Sequence, residues 1–418
     1  MNARIGKIRA AVALTAATLA LATGCTAPGN PIPRLPDLSA LDVGEFGLEP
    51  LAEPANGNEG YGRALESVRL AEVMADPLEV DPTLKFSSGG FGATPLPTPA
   101  KAVAFLADPV RAVLQRNGMV AGFAVGATDK DSGRTPPVGS ARLLTIMVLR
   151  FPDAATATRA AEEIDTVDAA VNPENVAVGI PEYPAAHGHW RPNVPTLAVT
   201  VAHESFVVSV LAGLTAPDLG ALTAVARKAF AAQLPRLRDF VATPREELAA
   251  IPLDRDGMLA RMVPHAPGRW PFPAVNYGSG QQDAGWDSAV QGTGVVYGPR
   301  GSLLWTPEKK AKPELIAING LDVLFRFPNV TAARESFTAV ARKDKEDPKT
   351  GVSIPSPAGV DDVSCIQDPT MTEPAVFHFI CRVLYGRYVA TIFGRSSKSI
   401  QQRAAAQYAL LVNSERGE

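Results

Sequence analysis

Apolar residues along this chain recur at two spacings, and the two alternate in an order that is written twice. The first marker is Met147-Val148-Leu149-Arg150-Phe151-Pro152-Asp153 and the second is Leu324-Phe325-Arg326-Phe327-Pro328-Asn329. In each, an unbroken apolar run ends in Arg-Phe-Pro, an Asp or Asn follows, and an alanine-rich stretch begins. The run predicts a buried strand. Pro restrains the chain at a helix start, and the short polar side chain caps it or complements its dipole. Helices are therefore expected at about 153–167 and 329–343. Segments 118–125 and 294–298 precede the markers, and each is expected to form a hairpin with its marker strand. Downstream, apolar residues alternate every second position in 197–201 and 206–211, and again in 377–383 and 388–393. That spacing, with β-branched and aromatic residues, predicts paired strands turning at His203-Glu204-Ser205 and Tyr385-Gly386-Arg387. Helical spacing closes each copy at about 217–234 and 398–413, the latter capped by Ser396 or Ser397. Helical pieces at 63–75 and 256–262 open them.

Each copy thus reads β-β-α-β-β-α after a helical piece. The expected class is α+β, with two related domains, each an antiparallel sheet with helices packed on one face. The boundaries follow: a first domain at 61–242, a polar linker at 243–253 and a second domain at 254–418. Residues 26–60 break the pattern. Pro31, Pro33, Pro36, Pro50 and Pro54 deny that stretch helical continuity. It reads as a tether whose coil would reach roughly 30–35 Å, although 43–46 has the character to dock on the body.

The N-terminus changes the picture most. Arg4, Lys7 and Arg9 form a basic start, and 10–22 is a small, apolar run too short for the roughly 20 residues of a bilayer span. It ends in Leu21-Ala22-Thr23-Gly24-Cys25, which resembles the lipobox of bacterial lipoproteins, with Ala22 where leucine is usual. The resemblance implies a signal peptide at 1–24, cleavage before Cys25, and a diacylglycerol on its sulfur with palmitate-type acyl chains. An ordinary secretory signal with an incidental cysteine is the alternative. Of the three cysteines, Cys365 and Cys381 then remain as a pair, and an even count outside the cytoplasm points to a disulfide between two strand-like segments. Two unpaired buried thiols are the other reading; a metal site is disfavoured for want of nearby histidine pairs. The full chain carries a net charge of −3, and losing the leader removes three positive charges more. No basic block remains to recruit nucleic acid, so membrane attachment rests on the lipid at Cys25.

Candidate chemistry is sparse. Phosphate-loop, nucleophile-elbow and Ser-x-x-Lys patterns are absent. His203-Glu204 lacks the second histidine of a zincin. Asp129-Lys130-Asp131-Ser132-Gly133 begins like a calcium loop, but Ser140 stands where the bidentate Glu belongs, so a polar turn is expected. His187 and His189 share a side of a strand without a third ligand, and no metal is assigned. The stronger feature is an aromatic cluster, Trp270, Phe272, Tyr277, Trp286, Tyr297 and Trp305. It is read either as an apolar binding surface or as core under long loops. Gly89-Gly90-Phe91-Gly92 is read as a loop on a rim.

The lipobox, the segment Arg63-Ala64-Leu65-Glu66-Ser67-Val68-Arg69-Leu70-Ala71-Glu72 with the following Asp81-Pro82, and the paired halves resemble an actinobacterial lipoprotein family. Its mycobacterial and nocardial members consist of an N-terminal and a C-terminal domain of unknown function. The second copy with its cysteine pair is also similar to extracellular sensor domains of actinobacterial serine/threonine kinases. Neither resemblance brings catalytic residues. The expectation is an extracytoplasmic, lipid-anchored, non-catalytic protein without cofactor, binding a protein partner, a lipid or a small envelope molecule between its halves. The alternatives are an envelope hydrolase, for which His187, His189 and His378 are the residues to inspect, and an assembly protein.

Overall fold

The computed structural model describes residues 37–88, 93–131, 136–277, 290–305, 312–346, 351–369 and 377–416. The leader, Cys25, Gly89-Gly90-Phe91-Gly92, Ser132-Gly133 and Trp286 lie outside them. Residues Ala40–Glu418 form one unit.

In the first half the strands are β1 (Phe86–Ser87), β2 (Ala93–Pro95), β3 (Ala121–Thr128), β4 (Leu143–Arg150), β5 (Val176–Ala177), β6 (His187–Trp190), β7 (Thr196–His203) and β8 (Phe206–Gly213). They pair antiparallel in the order β1-β3-β4-β8-β7-β6-β5, with β2 also on β3. The helices are α1 (Glu59–Leu70), the short α2 (Pro77–Val80), α3 (Pro99–Ala102) and α4 (Val110–Arg116), then α5 (Ala154–Ala169) and α6 (Leu219–Leu237). β3, β4 and β8 are buried at every residue, because the sheet has cover on both faces. Met147, Leu149, Phe151 and Val207 pack with Ala157, Ala160 and Ile164 of α5. The opposite parity carries Arg150, which reaches Glu66 of α1.

The second half has a β9–β10 hairpin (Ala274–Tyr277, Val290–Thr293), then β11 (Val295–Tyr297), β12 (Leu315–Asn319), β13 (Asp322–Arg326), β14 (Val352–Ile354), β15 (Val363–Gln367), β16 (Phe379–Tyr385) and β17 (Tyr388–Gly394). Its sheet runs β11-β12-β13-β17-β16-β15-β14, with α7 (Pro299–Trp305), α8 (Val330–Glu346) and α9 (Ser397–Arg416).

The halves repeat one path down to single hydrogen bonds. The Phe151 N–H donates to Ser205 O and the Phe327 N–H to Arg387 O, each at 2.8 Å. Asp153 Oδ1 accepts from Thr156 N at 2.7 Å, and Asn329 Oδ1 from Ala332 N at 2.9 Å; the prolines stand one place before these caps. The two-residue turns between paired strands hold Glu204 at φ 51° and Gly386 at φ 53°. Two buried glutamines clamp equivalent segments. Gln233 accepts from Ala75 N and donates to Val73 O, both at 2.9 Å. Gln407 accepts from Val263 N at 2.9 Å and donates to Arg261 O at 2.6 Å. Ser396 Oγ accepts from Ser399 N at the start of α9.

Four expectations change. The partner of the second marker strand is β12, and β11 is the outer strand beyond it; the Gly320 turn (φ 62°) is so tight that β12 and β13 merge into one apolar run when read as sequence. The piece at 256–262 is no α-helix: Asp256 and Gly257 both adopt positive φ, which ends the short Arg255–Gly257 turn. The linker is docked, with Leu248 fully buried and Thr243 bonded to Glu66. Residues 42–56, expected as part of a tether, lie against the body. Asp42 accepts from Gln402 and Leu48 O from Asn413, each at 2.9 Å, Arg403 lies 5.8 Å over Phe46, and Asn56 donates to Ile251 O. The segment from 41 to 58 forms no helix or strand, yet it has partners along its length.

Aromatic and polar contacts join the halves. Tyr61 stacks on Phe272 at 5.1 Å, and Phe123 meets Tyr297 edge-on at 6.3 Å.

Candidate functional site

On α1 and the turn after it, Leu65, Val68, Arg69 and Glu72 recur at the i, i+3, i+4, i+7 spacing that puts side chains on one helix face. That face forms one wall of a cleft of about 780 Å³. The chain leaving α6 supplies Phe240 and Thr243, the connector supplies Ile251 to Asp256, and β11 of the second half supplies Val296, with Gly298 just beyond it. Four distant segments therefore converge where the halves meet, and the volume suits a drug-sized molecule.

A buried ion network holds the α1 wall. Glu66 is fully buried and accepts from Arg150 Nη1 at 2.6 Å, Arg69 Nη1 at 2.5 Å, Thr243 N at 3.1 Å and Thr243 Oγ1 at 2.9 Å. Arg150 also donates to Thr243 O at 2.6 Å. Burial depresses the Arg150 pKa and the Glu66 charge opposes that shift. Arg69 bonds Thr243 Oγ1 and, at 2.9 Å, Val241 O, and its guanidinium lies 5.3 Å over the Phe240 ring. Three of its hydrogen bonds thus go to the wall. Glu72 accepts from Arg300 N at 3.2 Å and Gly301 N at 3.1 Å, tying α1 to α7.

Asp254 sits at the seam. Its carboxylate accepts from Leu259 N at 2.8 Å and Ala260 N at 2.9 Å. Its own N–H and that of Leu253 donate to Glu53 Oε1 at 3.2 and 2.7 Å. Burial pushes its pKa up to about 6, against those two backbone donors and with the Glu53 charge assisting. Gly298 is needed where it stands: a Cβ there would fall 2.4 Å from Arg255 Nη1 and 2.6 Å from Glu72 Oε1. Among the described residues the lining holds no histidine, cysteine, serine or lysine, and the Thr243 hydroxyl there donates to Glu66. The arrangement equips the cleft to hold a molecule through apolar contact and charge.

The residues singled out in the sequence are placed elsewhere. Cys365 and Cys381 are directly paired across β15 and β16 and form a disulfide. In the first half the equivalent pair is Gly188 and Val199. Of the aromatic cluster, Trp270 and Tyr297 are buried and Phe272 is partly exposed against Tyr61. The side chains of Tyr277 and Trp305, like Trp286, lie outside the described residues. Trp270, Phe272 and Tyr297 are not among the residues that line the cleft. Phe272 and Tyr297 meet aromatic rings of the first half, and Trp270 is buried. His189 Nδ1 lies 2.8 Å from Asp165 Oδ1, fastening β6 to α5, and neither residue lines the cleft. His187 stands two residues away on the same strand, and among the described residues no group of three or more His, Cys, Asp or Glu could hold a metal ion. His378 packs against Phe379. Asp129 closes its turn by accepting from Arg142 N at 2.9 Å. Sequence reasoning missed Glu72, Asp239, Asp254 and Arg255, which carry no local motif; only the helical spacing of Leu65, Val68, Arg69 and Glu72 hinted at a shared face.

Among the described residues no helix is long and apolar enough to cross a membrane. No curated protein sequence matches the chain. Among solved structures it is similar to the extracellular domain of PknH from Mycobacterium tuberculosis, at 14% identity over 44% of this chain and 98% of that one, with a TM-score of 0.26. The family model for the N-terminal domain of unknown function DUF7373 matches residues 53–253, and the model for its C-terminal domain matches 258–414. The break between them coincides with the Asp254–Gly257 seam, and the chain belongs to the DUF7373 family.

Proposed function

We propose that this protein is an extracytoplasmic, lipid-anchored binding protein of the bacterial envelope, of actinobacterial type, that takes its ligand in the cleft between its two halves. The observation that carries the reading is the cleft itself, about 780 Å³ with walls from both halves. A cleft at such a junction is a usual place for a ligand. The basic start, short apolar run and Gly24-Cys25 ending support the address. The Cys365–Cys381 disulfide fits an oxidising compartment.

Two measurements test it. Intact mass of the protein purified from its native membrane should show a chain beginning at Cys25 with a diacylglycerol, and Cys25→Ala should release it from the membrane fraction. A chain retaining Met1 without lipid would sink the address. Native mass spectrometry of the same material should show a small molecule that Val296→Trp, which fills the cleft, displaces. A cleft that stays empty in native material would argue for a role in assembly instead.

A further inference from the structure

The charges around the cleft are unequally engaged, and that inequality points to the head group of its ligand. Arg69 is occupied by Glu66, Thr243 and Val241. Asp256 is paired with Arg326 at 3.0 Å. Glu72 and Asp254 each accept two backbone N–H groups. Two charged lining residues are left with side chains that bond no described residue, the cation Arg255 and the anion Asp239, and both are exposed. The same lining carries Leu65, Val68, Phe240, Ile251 and Val296, an apolar floor.

We infer that the cleft takes a single-chain amphiphile with a zwitterionic head, its apolar chain on the floor, its anionic group on Arg255 and its cationic group on Asp239. The inference rests on the cleft being the binding site. An anionic head alone would meet Arg255 but face the carboxylates of Glu72, Asp239 and Asp254. A cationic head alone would meet Asp239 but face the guanidinium groups of Arg255 and Arg69. A head carrying one charge of each sign engages both free groups and adds no net charge to a partly desolvated site. The cleft volume, within the range of a drug-sized ligand, limits the apolar part to one chain.

The test is isothermal calorimetry on the purified full chain, disulfide intact. The probes share one dodecyl chain, each used below its micelle concentration: dodecylphosphocholine, dodecyl phosphate and dodecyltrimethylammonium. The phosphocholine should bind roughly fivefold tighter than either charged probe, the scale of one partly exposed ion pair. Arg255→Gln should erase the advantage over the ammonium probe, and Asp239→Asn the advantage over the phosphate probe. Both side chains are exposed, so neither change threatens the fold. Equal binding of all three probes, or preference for one charge sign, would overturn the zwitterion and leave the cleft reading standing. Loss of all binding in a Val296→Trp chain that keeps the wild-type circular dichroism and unfolding midpoint supports the location, whereas probes that bind this variant as well as the wild type would overturn the location and the cleft reading together.

Discussion

Replacing Asp254 by Asn removes a buried titratable group while keeping its shape. The carboxyl is 7% exposed and its pKa stands at about 6 instead of 3.8. A carboxyl raised in the folded state contributes stability that is complete below the unfolded value and lost as pH rises through the folded one. For Asp254 that window runs from about pH 4 to 7, and the full displacement corresponds to about 3 kcal/mol. Between pH 8 and pH 5 the wild-type chain should gain about 1.4 kcal/mol from this group by linkage. The Asn variant loses one of the bonds from Leu259 or Ala260, an offset of about 1 kcal/mol that does not vary with pH. Other groups titrate in the same range. Asp168, Asp322 and Asp344 are also raised by burial, so the difference between the two chains is the quantity to follow. Urea denaturation of both at pH 5, 6, 7 and 8 measures it. The wild type should gain on the variant as pH falls. Parallel stability curves, or a wild type that loses ground on acidification, would refute the argument that burial outweighs the two backbone donors.

Three further perturbations test the fold. Replacing Cys365 and Cys381 together by Ala should cost about 3 kcal/mol, the loop entropy for a sequence separation of 16; reduction of the wild type should give the same loss in denaturant melts. Gln407→Ala strands the buried Val263 N–H and Arg261 C=O and should cost about 2–3 kcal/mol. Gln233→Ala should match it within about 1 kcal/mol if the clamps are equivalent, and a negligible effect at either site would count against the repeat. Glu66→Ala leaves Arg150 buried without its counter-charge and should lower stability by about 3–5 kcal/mol, read by thermal unfolding; an unchanged midpoint would show that Arg150 reaches water instead.

Local pattern carried much of this architecture. The Arg150-Phe151-Pro152 and Arg326-Phe327-Pro328 markers mark real strand ends because the strand, the turn and the capping Asp153 or Asn329 all act within a few residues. The alternating runs before and after Glu204 and Gly386 were legible for the same reason, and the cysteines could be paired because only two remained after Cys25. What needed tertiary structure was whatever depends on groups far apart in the chain. β12 hid inside an apolar run, since a two-residue turn barely interrupts hydropathy. Trp270 and Tyr297 could not be told from a binding surface without seeing them buried, because the same aromatic residues serve both. The extended segment at 42–58 has a tether's composition and acquires a fixed course only through Gln402, Asn413 and Ile251. The cleft is the furthest case. α1, the chain after α6, the connector and β11 bring Arg69, Phe240, Asp254 and Val296 together, and no short-range pattern relates them. Hydrophobic spacing acts over a helical turn or a strand pair and so is written in the sequence, whereas a site assembled across the seam exists only once both halves have packed.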